Sequence, residues 1–176
     1  MKKTILLLAL ALGLFTVKAQ DGIEKGTILV EANTGNEMIG STGFYFSSID
    51  GNTSYNFGLD GGYFVMENLA LKAGLGFRGF NPDLGESASA FSYRLGAKYY
   101  IANQFPVTID LTGASGDAAE NFNGETPLWL GLGGGYAWFI TERISIEPGL
   151  RYNVSLNEDF TDEGIFQFNI GFALYF

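Results

Sequence analysis

Three nine-residue segments of this chain align without gaps: YFVMENLAL from Tyr63, YYIANQFPV from Tyr99 and WFITERISI from Trp138. Each runs aromatic, aromatic, aliphatic, then three mostly polar residues, then two apolar residues one position apart. Their starts lie 36 and 39 residues apart. That spacing holds two strands of about 9–11 residues, one tight turn and one longer loop. The repeat therefore predicts hairpins recurring along an up-and-down antiparallel sheet. The strands expected are 25–33, 54–65, 69–80, 90–101, 105–112, 127–140, 144–154 and 165–176, an even number that can close into a barrel. Tight turns at 66–68, 102–104 and 141–143 fall at one end, and stretches rich in Gly, Asn, Asp and Ser at the other.

Alternation along a strand separates two faces but does not say which is inside. One face carries Leu69, Leu71, Ala73, Leu75, Phe77, Leu95, Leu130, Leu132, Ile144, Ile146 and Leu150. The opposite face mixes glycines (Gly58, Gly74, Gly76, Gly96, Gly131, Gly133, Gly135, Gly149, Gly171) with Glu31, Asp60, Lys72, Arg78, Arg94, Lys98, Asp110, Glu147 and Arg151. Glycine weakens a strand and calls for close approach as its reason. The narrow interior of an eight-stranded barrel supplies that reason, since it holds only side chains. Four acids and five bases confined there can pair rather than stay as isolated buried ions. Asp60 with Lys72 and Arg94 with Asp110 share lumen-facing phases of neighbouring strands, and Glu147 shares a face with Arg151. The expectation is a salt-bridged plug. The alternative is a narrow channel for small solutes, with room beside the glycines of the sixth strand near Trp129 and Phe139.

The apolar face then points outward, and its aromatics form two bands. Tyr63, Tyr99, Phe105 and Trp138 lie near the tight turns, while Tyr55, Phe57, Phe77, Phe91, Tyr93, Tyr152 and Phe166 lie near the long loops. Such bands mark the two interfaces of a membrane barrel. No run beyond the first residues approaches the length of a membrane helix. The fold class expected is all-β: an eight-stranded antiparallel transmembrane barrel.

Lys2 and Lys3, the apolar stretch from Ile5 to Val17 and the small residues around Ala19 read as a secretory signal, residues 1–19, with the barrel domain over 20–176. Of ten basic residues three lie in that signal, whereas all nineteen acids lie beyond it. The strongly acidic remainder makes nucleic acid an unsuitable partner. The long loops hold Glu37, Asp50, Asp83, Glu86, Asp117, Glu120, Glu125, Glu158, Asp159, Asp162 and Glu163 and no Lys or Arg. Such carboxylates are suited to divalent cations, which prefer oxygen ligands and could bridge them to lipopolysaccharide head groups.

The chain has no His and no Cys. Imidazole catalysis, thiolate chemistry and disulfides are therefore excluded, and no enzyme, cofactor or dedicated metal site is expected. Gly74-Leu75-Gly76-Phe77-Arg78-Gly79 fits the dinucleotide pattern, but the glycines lie within a strand and no helix N-terminus follows to hold a phosphate.

The last strand, with Asn169, Gly171, Leu174 and Phe176, resembles the C-terminal assembly signal of bacterial outer-membrane barrels. Together with the signal segment and hairpin repeats, residues 20–176 resemble the small outer-membrane barrel domain family of the OmpA and OmpX kind, without a periplasmic domain. The resemblance implies the cell outer membrane of a Gram-negative bacterium as location. Its implied partners are membrane lipid, lipopolysaccharide and the barrel assembly machinery. The role implied is structural, with loops presented for surface interaction.

Overall fold

A computed structural model describes residues 23–35 and 42–176. The secretory signal and Glu37 lie outside the described residues. Ten strands follow in order: β1 Ile28–Asn33, β2 Phe44–Ile49, β3 Asn52–Met66, β4 Leu69–Asn81, β5 Ala88–Ile101, β6 Phe105–Ser115, β7 Leu128–Gly135, β8 Trp138–Thr141, β9 Ile144–Ser155 and β10 Ile165–Tyr175. All pairings are antiparallel, and β1 pairs with both β3 and β10, which closes the sheet. Ten strands make eight staves, because two staves are interrupted.

The first interruption is an insertion. β1 places Glu31 opposite Asp60, a register that would bring residue 34 opposite Phe57, yet Phe44 of β2 stands there. The register advances by ten residues, an even number, so Phe44 and Phe46 keep the outward phase of Val30 and Ala32. Residues 42 and 43 rejoin the wall directly, Asn33 N donating to the Thr42 carbonyl and Gly58 N to Gly43 O at 2.7 Å. Within the stretch expected as one long loop up to residue 53, Phe44–Ile49 and the first residues of β3 are therefore strand. They are joined by a two-residue turn in which Asp50 and Gly51 have φ of 49° and 80°, the left-handed pair that matches strand twist.

The second interruption keeps its register. Gly135 faces Gly149 and Trp138 faces Ile146, so 127–140 was correctly expected as one stave. Tyr136 N donates to Pro148 O at 3.0 Å, but Pro148 has no N–H to return. The ladder lapses there and separates β7 from β8. At the start of the chain the expected strand is shortened: Gly26, with φ of 99°, turns the backbone and donates to Phe64 O at 2.8 Å, so pairing begins at Ile28.

Outward positions are apolar and exposed, among them Leu71, Leu75, Leu95, Leu132, Leu150 and Phe172. The buried interior is ionic at mid-height and aromatic at the short-turn end, where Ile23, Leu29, Phe64, Ala70, Tyr100, Ala137, Ala173 and Tyr175 cluster. A soluble barrel has the reverse polarity. Of the spanning structures open to a chain, a closed barrel with an apolar belt leaves no strand edge to lipid.

Candidate functional site

The side chains at the centre of the lumen come from β1, β3, β4, β5, β6 and β9, each projected inward by the period of two. They form one alternating chain of charges. Lys98 Nζ lies 2.5 Å from Glu147 Oε2 and 2.6 Å from Glu31 Oε2. Lys72 Nζ lies 3.1 Å from Glu31 Oε1 and 3.1 Å from Asp60 Oδ2. Arg94 Nη1 donates to Asp60 Oδ2 at 2.6 Å, and its Nε stands 3.9 Å from Asp110 Oδ1. Arg151 completes the chain as a fork on Asp110, Nη1 to Oδ2 at 2.7 Å and Nη2 to Oδ1 at 2.5 Å. The sequence from Glu147 through Lys98, Glu31, Lys72, Asp60, Arg94 and Asp110 to Arg151 starts and ends on β9, crossing the lumen. All eight are buried.

Four acids meet four bases, so no net charge is held in low dielectric, and each carboxylate touches at least one cation. Neutral groups take up further valences. Glu147 Oε1 accepts from Tyr100 OH and Ser145 Oγ at 2.8 Å each and from Tyr175 OH at 2.9 Å. Asn33 Nδ2 donates to Glu31 at 2.9 Å, Thr112 Oγ1 to Asp110 at 3.0 Å, and Arg151 Nε to Asn153 Oδ1 at 2.7 Å.

Eight of the nine charged residues expected in the lumen meet in this chain. The ninth, Arg78, stands nearer the long-loop end of β4, opposite Asn56 and Ala90. The pairing pattern differs from expectation in one respect. Asp60 does pair with Lys72, but Glu147 and Arg151 engage Lys98 and Asp110 instead of each other. Four residues of strand span about 13 Å, too far for contact along one stave. The contributions of Tyr100, Ser145, Asn33, Thr112 and Asn153 were not singled out in the sequence. Their signal was phase: each stands an even number of residues from a lumen charge on its own strand.

Glycines make the arrangement possible. A Cβ on Gly74 would overlap the Asp60 carboxylate, one on Gly96 the Asp110 side chain, and one on Gly131 the Arg151 guanidinium. On the outer face, Tyr55 lies over Gly79, Tyr93 over Gly113 and Tyr152 over Gly164 in the same way, covering glycine backbone with aromatic rings.

A cavity of about 70 Å³ adjoins the charge chain, lined by Lys98, Arg94, Arg151 and the backbone of Gly133, Gly134 and Gly135. It has room for only a few waters. The glycine run does leave space, but away from the two aromatics expected beside it. Trp129 is fully buried, edge to face with Phe160 at 6.0 Å, and Phe139 packs on Tyr175 at 5.6 Å.

In the expected assembly signal, Phe176 is exposed on the outer face, with N and O both bonded to Ile28 at 3.0 and 2.9 Å. Leu174 also faces out, Asn169 is half-buried on the lumen side, and Gly171 faces Asn33 and Glu147. Among the described residues no three acidic side chains converge on a metal-sized site.

No protein-family model and no curated protein matches the chain. Among solved structures it is similar to the N-terminal β-barrel domain of Pseudomonas aeruginosa OprF, with a TM-score of 0.52 and 16% identity, covering 89% of this chain and 100% of that one. The fold is that of a small outer-membrane barrel. Two further matches are the Yersinia pestis outer membrane protein Ail, with TM-score 0.46, 13% identity, and 89% and 100% coverage, and Neisserial surface protein A, with TM-score 0.43, 15% identity, and 85% and 96% coverage.

Proposed function

We propose that this chain is a non-catalytic integral protein of the outer membrane, with a lumen closed by its charge chain and loops that face outward. The observation that carries the reading is the unbroken alternation of eight buried charges across the barrel. An ion crossing it would have to separate pairs whose members then stand alone in low dielectric, a cost of several kcal/mol each by the order of magnitude for buried ions. The role is structural: the barrel braces the bilayer and carries the loops. Purified protein in a planar lipid bilayer is expected to show no steady conductance, and a stable open level in the wild type would sink the reading. The cavity beside Gly133, Gly134 and Gly135 favours a second reading, a narrow channel, which that open level would support.

The segments at the long-loop end carry acids such as Asp83, Glu86, Asp117, Glu120, Glu125, Glu158, Asp159, Asp162 and Glu163 without a Lys or Arg. We propose that Ca²⁺ or Mg²⁺ links these carboxylates to lipopolysaccharide phosphates, each ion sharing its oxygens between protein and lipid. Co-sedimentation with lipopolysaccharide is expected to fall on adding chelator and to return with Mg²⁺. Association unchanged by chelator would refute the bridge. The terminal strand, through Asn169, Gly171, Leu174 and Phe176, is in this reading the segment offered to the barrel assembly machinery.

A further inference from the structure

We propose that residues 23–27 form a strap that seals the short-turn mouth of the barrel independently of the charge chain, so that the lumen is closed by two barriers in series. The inference rests on the closed-lumen reading and adds a second, chemically different seal to it. Ile23 is only 4% exposed and is packed with Leu29, Phe64, Tyr100 and Tyr175 across the mouth. The rings tile this floor: Phe64 stacks on Tyr100 at 6.1 Å, Tyr100 meets Phe139 at 6.4 Å, and Phe139 meets Tyr175 at 5.6 Å. The two phenol hydroxyls point toward Glu147 and are satisfied there, which leaves hydrocarbon on the mouth side.

The C-terminal end of the strap is held by backbone bonds of Gly26 and Thr27 to Phe64, at 2.8 and 3.0 Å, and its head at Ile23 is clamped by Asn68. Asn68 N donates to Ile23 O, and Ile23 N donates to Asn68 Oδ1, each at 2.9 Å. Asn68 sits in the first short turn with φ of 63°. Its Nδ2 donates to Asn103 Oδ1 of the second turn at 2.7 Å, and its carbonyl accepts from Tyr100 N at 3.0 Å. The chain then reverses at Gly26 and enters β1. Thus one residue, through its side chain and backbone together, ties the strap to two turns and to the strand that carries the Tyr100 ring.

The two barriers oppose passage by different means. The charge chain resists because its pairs would have to part, while the floor offers a hydrated ion no polar group and excludes water as a hydrophobic constriction does. Releasing the strap should therefore wet the short-turn half of the lumen without disturbing the ion pairs.

The absence of native cysteine allows a direct test. Thr108 lines the cavity at the level of Lys98, so Thr108→Cys reports access from the short-turn side to a small cationic methanethiosulfonate reagent in proteoliposomes of one orientation. Adding Asn68→Gly removes the side-chain half of the clamp, its bonds to Ile23 N and to Asn103, while glycine keeps the positive φ, and labelling is expected to accelerate by about tenfold or more, the behaviour of a segment that opens locally. Ile23→Ser, which leaves the turn intact, should act in the same direction, and Glu24→Gln, on the exposed side of the strap, should change nothing. Retained heat-shifted gel mobility checks that each variant is folded. Equal labelling with and without the clamp would overturn the proposal. So would an increase on Lys98→Met alone, since the two barriers would then be one. Steady conductance of the wild type would instead overturn the closed-lumen reading, a separate result.

Discussion

At the residue scale the lumen is a problem of volume before it is one of charge. Asp60, Asp110 and Arg151 lie across glycines of the adjacent stave, and a single methyl at those glycines has no space that the charged side chain does not already fill. Gly74→Ala and Gly131→Ala should each cost about 1–3 kcal/mol, the usual range for overpacking, through displacement of a buried ion from its partner. Gly134→Ala is the matched control: it faces outward, and the nearest heavy atom to a Cβ there is the Pro106 carbonyl oxygen at 3.9 Å. Urea unfolding in lipid vesicles followed by tryptophan fluorescence would separate the three. If Gly74→Ala and Gly131→Ala are as stable as Gly134→Ala, the glycines are not there to admit the charges. Glycine's presence on the lumen face was visible in the sequence, but its partner was not. Which carboxylate lies over which glycine depends on the stagger between staves, and alternation along one strand carries no information about stagger.

At the element scale, what the sequence showed clearly was whatever recurs. The three short turns and their flanking strands share one pattern, so β3 to β6 and β9 were legible with ends shifted by a few residues. The insertion between β1 and β2 occurs once and has no counterpart to align with, so no repeat marks the strand it resumes, Phe44–Ile49. The Asp50-Gly51 pair between two apolar runs was its available signal. The lapse at Tyr136 likewise comes from a single missing N–H on the opposite stave. Turn chemistry also identifies an unoptimised position. Ala102 and Asn103 have φ of 48° and 62°, and Gln104 N donates to Ile101 O at 3.2 Å across them. Alanine in the left-handed region costs roughly 1–2 kcal/mol, a penalty glycine escapes. Ala102→Gly is therefore expected to stabilise the barrel by about 1 kcal/mol, less the backbone entropy it adds to the unfolded chain. A raised urea midpoint with unchanged slope checks this, and a lowered midpoint would show that the turn is held by its surroundings.

At the scale of the whole molecule, closure links the two termini of the sheet. Ile28 and Phe176 exchange both backbone hydrogen bonds, and β1 pairs with β10 over Leu29–Asn33 and Gly171–Tyr175. The first and last strands of the sheet are thus neighbours, and the barrel has no preferred place to be cut provided the cut falls in a loop. The residues between β4 and β5 are such a place, since they connect two fully paired staves and Leu84 there is 88% exposed. A circular permutant opened at Leu84, with Phe176 joined by a short flexible linker to the residues before Ile23, keeps every stave pairing. It should refold in detergent with the heat-shifted mobility of the parent. In the cell the outcome should differ if the terminal strand is read as an assembly signal, because the permutant presents Asn169, Gly171, Leu174 and Phe176 internally and ends on a polar loop. The expected pair of results is normal refolding in vitro with loss of the folded form from outer-membrane fractions. Failure in both would place the defect in folding, while success in both would show that the barrel's closed geometry, and not its last residue, is what the cell requires.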